Sequence, residues 1–259
     1  MSSPVCRRTI ILARHGQTKW NLDGRYQGRS DPDLCRTGVM ECVTLAEKLS
    51  RTGIRSIFTS PLSRARQTAE IVADRLRIGP IENDPRLAEI HFGDWEGNTQ
   101  TQVRQRWPEL LHLWKTEPDA VRFPGGETLE EARDRLRAFF KDIAMVSTPD
   151  AAPALVVTHA GLIRLAVLAA QLQEVTGFRQ IAVAPVSTWR FVLLTTNGNT
   201  VPLLDLTDES TAAPTSTTRG RASAGGSACD GSDGAQFRGA RRGVRKPQSV
   251  SPDESDNAI

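Results

Sequence analysis

Along the first 206 residues the apolar positions follow two alternating rhythms. Short aliphatic or β-branched runs, Thr9 to Ala13, Ser56 to Thr59, Ala154 to Thr158 and Thr188 to Leu194, read as strands. Between them, apolar residues recur at three- and four-residue spacing, the period of a helix. One helix is expected from about Thr37 to about Arg51, with Val39, Val43, Leu45, Ala46 and Leu49 turned inward. A second is signalled by Ser60 as N-cap and Pro61 at the first helical position, followed by Leu62, Ala65, Ala69, Val72 and Leu76. Thr128 and Glu131 stand at capping-box spacing ahead of Ala132, Leu136, Phe139, Phe140 and Ile143. A fourth helix is expected after Gly161, carrying Leu162 to Leu172. Strands alternating with helices of this length predict an α/β fold, a three-layer sandwich whose mainly parallel central sheet is flanked by helices.

Both rhythms stop near Thr207. Residues 207–259 hold only Phe237, Val244, Val250 and Ile259 as large apolar side chains, too few to build a core, so a domain of residues 1–206 followed by a disordered tail is expected. The tail's seven basic and seven acidic residues cancel, which assigns the net charge of +3 to the domain. That charge is too small to indicate nucleic acid, and the short cluster from Arg238 to Lys246 reads as a solvated run. No apolar run approaches the roughly 18 to 20 residues that span a bilayer. Cys6, Cys35, Cys42 and Cys229 form no CxxC pair, which suits reduced thiols and a cytoplasmic protein.

The candidate chemistry sits at strand ends, where open α/β sheets place their sites. Arg14-His15-Gly16 follows the first strand and His159-Ala160-Gly161 the third. Arg64 lies in the first turn of the helix that follows the second strand, the end a cation does not favour unless an anion is bound there. A guanidinium fork matches phosphate oxygens. Two arginines in one pocket would repel a divalent cation and supply its electrostatic role, so neither a metal nor another cofactor is expected. No GxxxxGK[ST], GxGxxG or GxSxG pattern occurs.

The stretches ARHGQTKWNLDGRYQGRSDPDL (13–34), TSPLSRARQTAEIV (59–72), LAEIHFGDWEG (87–97), PGGET (124–128) and VVTHAGLIR (156–164) together resemble the histidine phosphatase, or phosphoglycerate mutase-like, superfamily. The resemblance implies His15 as a nucleophile that becomes phosphohistidine and Glu89 as proton donor. It implies Arg14, Arg64 and His159 as phosphoryl ligands, with Asn21, Gln27, Gly28 and Ala160 in the substrate pocket. Glu89 would need a raised pKa to act first as an acid, and Phe92 or Trp95 is expected to enclose it. The separation of Glu89 and His159 resembles the phosphatase branch, and the expected substrate is a small phosphorylated metabolite. A phosphoglycerate mutase and a non-catalytic phospho-ligand binder are the alternatives, and a homodimer is compatible with either. Cys35 stands where many relatives have Ser or Thr. Specificity is assigned to residues 98–126, where Arg104, Arg106, Lys115 and Arg122 either receive a second anion or form a solvated helix face. His91 is expected at the surface or in packing, His112 in helix packing, and Trp95 and Trp107 in the core or the pocket wall.

Overall fold

The computed structural model describes residues 6–145, 152–173, 175–196 and 199–205, so the expected tail lies outside the described residues. In chain order the elements are β1 (Cys6–Arg14), α1 (Lys19–Leu22), α2 (Arg36–Leu49), β2 (Ser56–Thr59), α3 (Ser63–Leu76), β3 (Ile81–Asn83), α4 (Gln100–Arg106), α5 (Pro108–Thr116), α6 (Leu129–Met145), β4 (Ala154–Thr158), α7 (Ala160–Ala170), β5 (Thr188–Thr196) and β6 (Asn199–Leu204). They form one sheet in the order β3-β2-β4-β1-β5-β6. The first four strands in that order run parallel, and β5 and β6 are antiparallel additions at one edge. No helix among the described residues is long and apolar enough to cross a membrane.

The three-layer expectation follows from the pleat. Successive side chains of a strand point to opposite faces. Ile10 and Leu12 of β1 and Ala154 and Val156 of β4 therefore enter one core with α6 and α7. Ile11, Ala13, Leu155 and Val157 enter the other with α2 and α3. Strands apolar on both faces can only be central.

Several boundaries differ from those expected. The helix after β2 starts at Ser63 with Leu62 as N-cap, not at Pro61. Its cap comes from elsewhere in the chain: Asp31 accepts from the Ser63 amide at 2.6 Å and from its hydroxyl at 2.9 Å. The last helix begins at Ala160 rather than after Gly161 and ends at Ala170, leaving Leu172 87% exposed beyond it at a positive φ. On α2 the buried face runs through Gly38, Cys42, Leu45, Ala46 and Leu49, so Val39 faces out. His112 is exposed and not packed as expected. The capping box of α6 forms as read, with Thr128 and Glu131 exchanging backbone bonds.

Candidate active site

The parallel pairing register assembles the site. Arg14 is level with Thr158 across β1 and β4, and Thr59 is level with Val157 across β2 and β4. The next residues, His15, His159 and Ser60, must therefore emerge side by side at the carboxyl edge of the sheet. The His15 and His159 rings lie 5.1 Å apart between centroids, and the Ser60 hydroxyl lies 2.7 Å from Nε2 of His159.

The state of His15 follows from one contact. Its Nδ1 is 2.7 Å from the carbonyl oxygen of Gly16. A carbonyl only accepts, so Nδ1 carries the proton, and in the neutral ring Nε2 presents a lone pair. Burial, then Arg64 and Arg14, hold the His15 pKa well below the usual imidazole range, so the ring is neutral at pH 7. The pKa of His159 is depressed in the same way by burial and then by Arg64. Its Nδ1 is buried and has no hydrogen-bond partner among the described residues.

Two arginines bring charge to this edge. Arg64 is fully buried, its Nη1 donating to Ser30 and its Nη2 to Gly28 carbonyls, both at 2.8 Å. Gly28 turns its carbonyl this way at φ +51°, a conformation that favours glycine. Arg14 Nη1 donates to the Val183 carbonyl at 2.6 Å. Burial pulls both guanidinium pKa values down to about 10. Both therefore keep their charge at neutral pH, and the carbonyls occupy only some of their N–H donors. Glu89 completes the group: Oε1 accepts from the Ile90 amide at 2.9 Å, and Oε2 from the Gly161 amide at 3.3 Å.

These groups line a narrow cleft at the carboxyl edge of the sheet, about 600 Å³ when its open mouth is included. Of the expected site residues, Arg14, His15, Asn21, Gln27, Gly28, Arg64, Glu89 and Ala160 line it, whereas His159 is fully buried beside His15 and anchored by Ser60. Phe92 lines the cleft, but Trp95 lies in the aromatic core against Tyr26, Trp107 and Phe123. Arg104, Arg106, Lys115 and Arg122 do not line it. Arg106 lies over Trp107, and Arg122 pairs with Glu131 at 2.7 Å. The wall instead carries Trp114, Arg164, Phe178 and Arg179, with Arg25 also in the lining. Arg164 left a signal in the sequence, as the single charge in the apolar run Leu162 to Leu172.

The chain has known relatives. The family model of the histidine phosphatase superfamily, branch 1, matches residues 10–206. The chain belongs to the histidine phosphatase superfamily. Phosphoserine phosphatase 1 of Hydrogenobacter thermophilus is 38% identical over 134 residues, which cover 52% of this chain and 63% of that protein. A 2,3-bisphosphoglycerate-dependent phosphoglycerate mutase of a Bradyrhizobium species is 31% identical over 169 residues, 63% of this chain and 81% of that one. Among solved structures, a mycobacterial glucosyl-3-phosphoglycerate phosphatase with VO3 matches this chain with a TM-score of 0.69 and 26% identity, over 77% of this chain and 98% of that one. Bacillus stearothermophilus YhfR gives 0.69 and 28%, over 80% and 98%. The match to the phosphoserine phosphatase spans less than two thirds of that protein's length.

Proposed function

We propose that this chain is a metal-independent phosphomonoesterase that hydrolyses a small phosphorylated metabolite through a phosphohistidine on Nε2 of His15. The observation that carries the reading is the bond from Nδ1 of His15 to the Gly16 carbonyl, which leaves an unprotonated Nε2 beside two buried arginines. The Nε2 lone pair attacks phosphorus, and the bond to the ester oxygen breaks as that oxygen takes a proton from Glu89. Charge on the equatorial oxygens is met by Arg14 and Arg64, with Nδ1 of His159 as a further donor. Water then attacks the phosphohistidine, Glu89 accepts its proton, and neutral His15 is restored. The arginines provide the cationic stabilisation that a metal ion otherwise supplies, which supports metal independence.

Similarity to the phosphoserine and glucosyl-3-phosphoglycerate phosphatases supports hydrolysis of a small phosphomonoester. Similarity to the phosphoglycerate mutase supports a second reading, in which the phosphoryl group returns to a bound phosphoglycerate. Release of inorganic phosphate from para-nitrophenyl phosphate in chelator-containing buffer tests the first reading, with wild type compared against His15→Ala. Wild-type turnover that disappears in the variant is expected. Turnover that survives the substitution would remove His15 from the mechanism. A folded wild type that releases no phosphate but interconverts 2- and 3-phosphoglycerate would be a mutase.

A further inference from the structure

Arg64 is held by the backbone of a loop that Glu96 holds in turn. The arginine donates from Nη2 to the Gly28 carbonyl and from Nη1 to the Ser30 carbonyl, both at 2.8 Å. Oε1 of Glu96 accepts from the Arg29 amide of the same loop at 2.9 Å and from the Phe92 amide at 3.2 Å. Oε2 accepts from the Ser30 amide at 2.7 Å and from the Ser30 hydroxyl at 2.8 Å. The Glu96 side chain is only 11% exposed, yet it does not line the cleft. Nε2 of His91 stands 3.7 Å from Oε1, beyond hydrogen-bond reach.

The Gly28 carbonyl and the Arg29 amide belong to one peptide unit. In a trans peptide these two groups point in opposite directions, so a guanidinium at one end and a carboxylate at the other fix the plane between them. Both bonds are charge-assisted, and each polarises the peptide for the other. Two features bring Glu96 this close. The Gly97 amide donates to the Tyr26 carbonyl at 2.8 Å and Arg25 Nη1 to the Gly97 carbonyl at 2.6 Å, which ties the turn carrying Glu96 to the segment leading into the loop. Gly28 leaves the space: a Cβ there would lie 2.1 Å from Oε1 of Glu96. Burial foremost lowers the Arg64 pKa, to about 10, and the negative charges of Glu89, Asp31 and Glu96 oppose that fall.

We propose that Glu96 is a positioning residue for Arg64, acting through the Gly28–Arg29 peptide and the Ser30 backbone to fix the guanidinium fork at the phosphoryl end of the cleft. The proposal rests on the phosphatase reading for the role of Arg64 and adds the group that sets its geometry. A neutral or retracted group at position 96 releases the 28–30 loop to turn. A displacement of about 1 Å in a group that meets the reacting atoms costs about 10²-fold in rate.

The test reads Arg64 directly. Proton–nitrogen NMR of the full chain should show resolved Arg64 guanidinium signals, assigned by their loss in Arg64→Lys, because a fork held at two carbonyls rotates slowly. Titration of the same samples with inorganic phosphate gives a Kd that needs no turnover. In Glu96→Gln, whose amide cannot accept at both ends, the signals should shift or broaden and the Kd should rise by at least about tenfold, the range of a hydrogen bond to a charged group. The kcat/KM for para-nitrophenyl phosphate should fall about 10- to 100-fold. Glu96→Asp, which keeps the charge but is one methylene shorter, should fall between, and it stands in for Glu96→Gln if that variant does not fold. Wild-type Arg64 signals and phosphate Kd in either folded variant would overturn the proposal, even with a lowered urea midpoint, because a merely structural carboxylate moves stability and not the fork. Para-nitrophenyl phosphate separates the two readings. Turnover by wild type with Arg64 signals indifferent to Glu96 sinks the positioning role alone, whereas no turnover by folded wild type sinks the phosphatase reading and with it the role of Arg64 that the proposal rests on.

Discussion

Glu89 can be displaced without being removed. Gly161, the second residue of α7, donates its amide to Oε2 of Glu89. A Cβ placed on Gly161 would lie 2.4 Å from Oε1 of Glu89 and 2.6 Å from Cδ1 of Ile90. Both distances fall well inside the roughly 3.5 Å at which non-bonded atoms rest. Ile90 is fully buried and has little room to yield, so the carboxylate has to swing away. For stability, alanine is favoured in a helix by about 1 kcal/mol, while overpacking costs about 1–3 kcal/mol. Gly161→Ala should thus lose about 0–2 kcal/mol, little enough for a protein of typical stability to stay folded. For catalysis, a misplaced general acid costs about 10²- to 10⁴-fold when the leaving oxygen needs a proton. An alkoxide needs one, whereas nitrophenolate departs readily as an anion. First-turnover release of the leaving alcohol at pH 7, which precedes the water step that Glu89 serves as base for both esters, should therefore show an alkyl phosphate ester losing at least about 100-fold in rate and para-nitrophenyl phosphate losing less than about tenfold. Glu89→Gln should show the same contrast. Equal losses on both esters, or wild-type turnover of the alkyl ester by Gly161→Ala, would refute the assignment of Glu89 as proton donor.

Other outcomes follow from the buried histidines, the Ser60 contact and the end of the sheet. The pKa values of His15 and His159 are depressed in the folded chain, chiefly by burial, so below about pH 6.5 the unfolded chain binds protons that the folded one does not. Stability should be full above that pH and fall beneath it by up to about 2.7 kcal/mol per pH unit for the two groups. Urea midpoints between pH 7.5 and 5.5 measure this fall, His15→Asn should roughly halve its slope, and a flat profile would contradict the buried neutral state. Ser60→Ala removes the 2.7 Å anchor of His159 and should lower kcat about tenfold, with Ser60→Thr restoring most of it. An unchanged kcat in the alanine variant would mean that the contact does not orient the ring. Because β6 ends at Leu204, deletion of residues 207–259 should leave turnover within about twofold of the full chain. A folding or activity collapse would place the domain boundary later.

Much of the architecture was legible because it is written at short range. The four runs read as strands became β1, β2, β4 and β5, since a segment buried on both faces must be apolar at every position. The strands missed were β3, of three residues, and β6, whose Val201 and Leu203 stay exposed. Edge strands bury too little to mark the sequence. The candidate site was legible for a related reason. Arg14, His15 and His159 lie at the ends of β1 and β4, strands legible from their apolar runs, whereas Glu89 was marked by the family resemblance alone.

Register and long-range polar contacts were not written locally. Ser60 looked like an N-cap because serine before Pro61 ordinarily is one, but its hydroxyl contacts His159, ninety-nine residues away, and Asp31 caps the helix instead. Arg104, Arg106, Lys115 and Arg122 were the residues read as able to receive a second anion, and only packing showed that Arg164 and Arg179 line the cleft instead. Hydrophobic periodicity records which side chains must leave water, and so determined β1, β2, β4 and β5 and the helices α2, α3, α6 and α7 that cover the sheet. Which strand ends come level, and which carbonyls receive a buried guanidinium, depends on pairing between segments far apart in the chain, and the tertiary structure alone decided that.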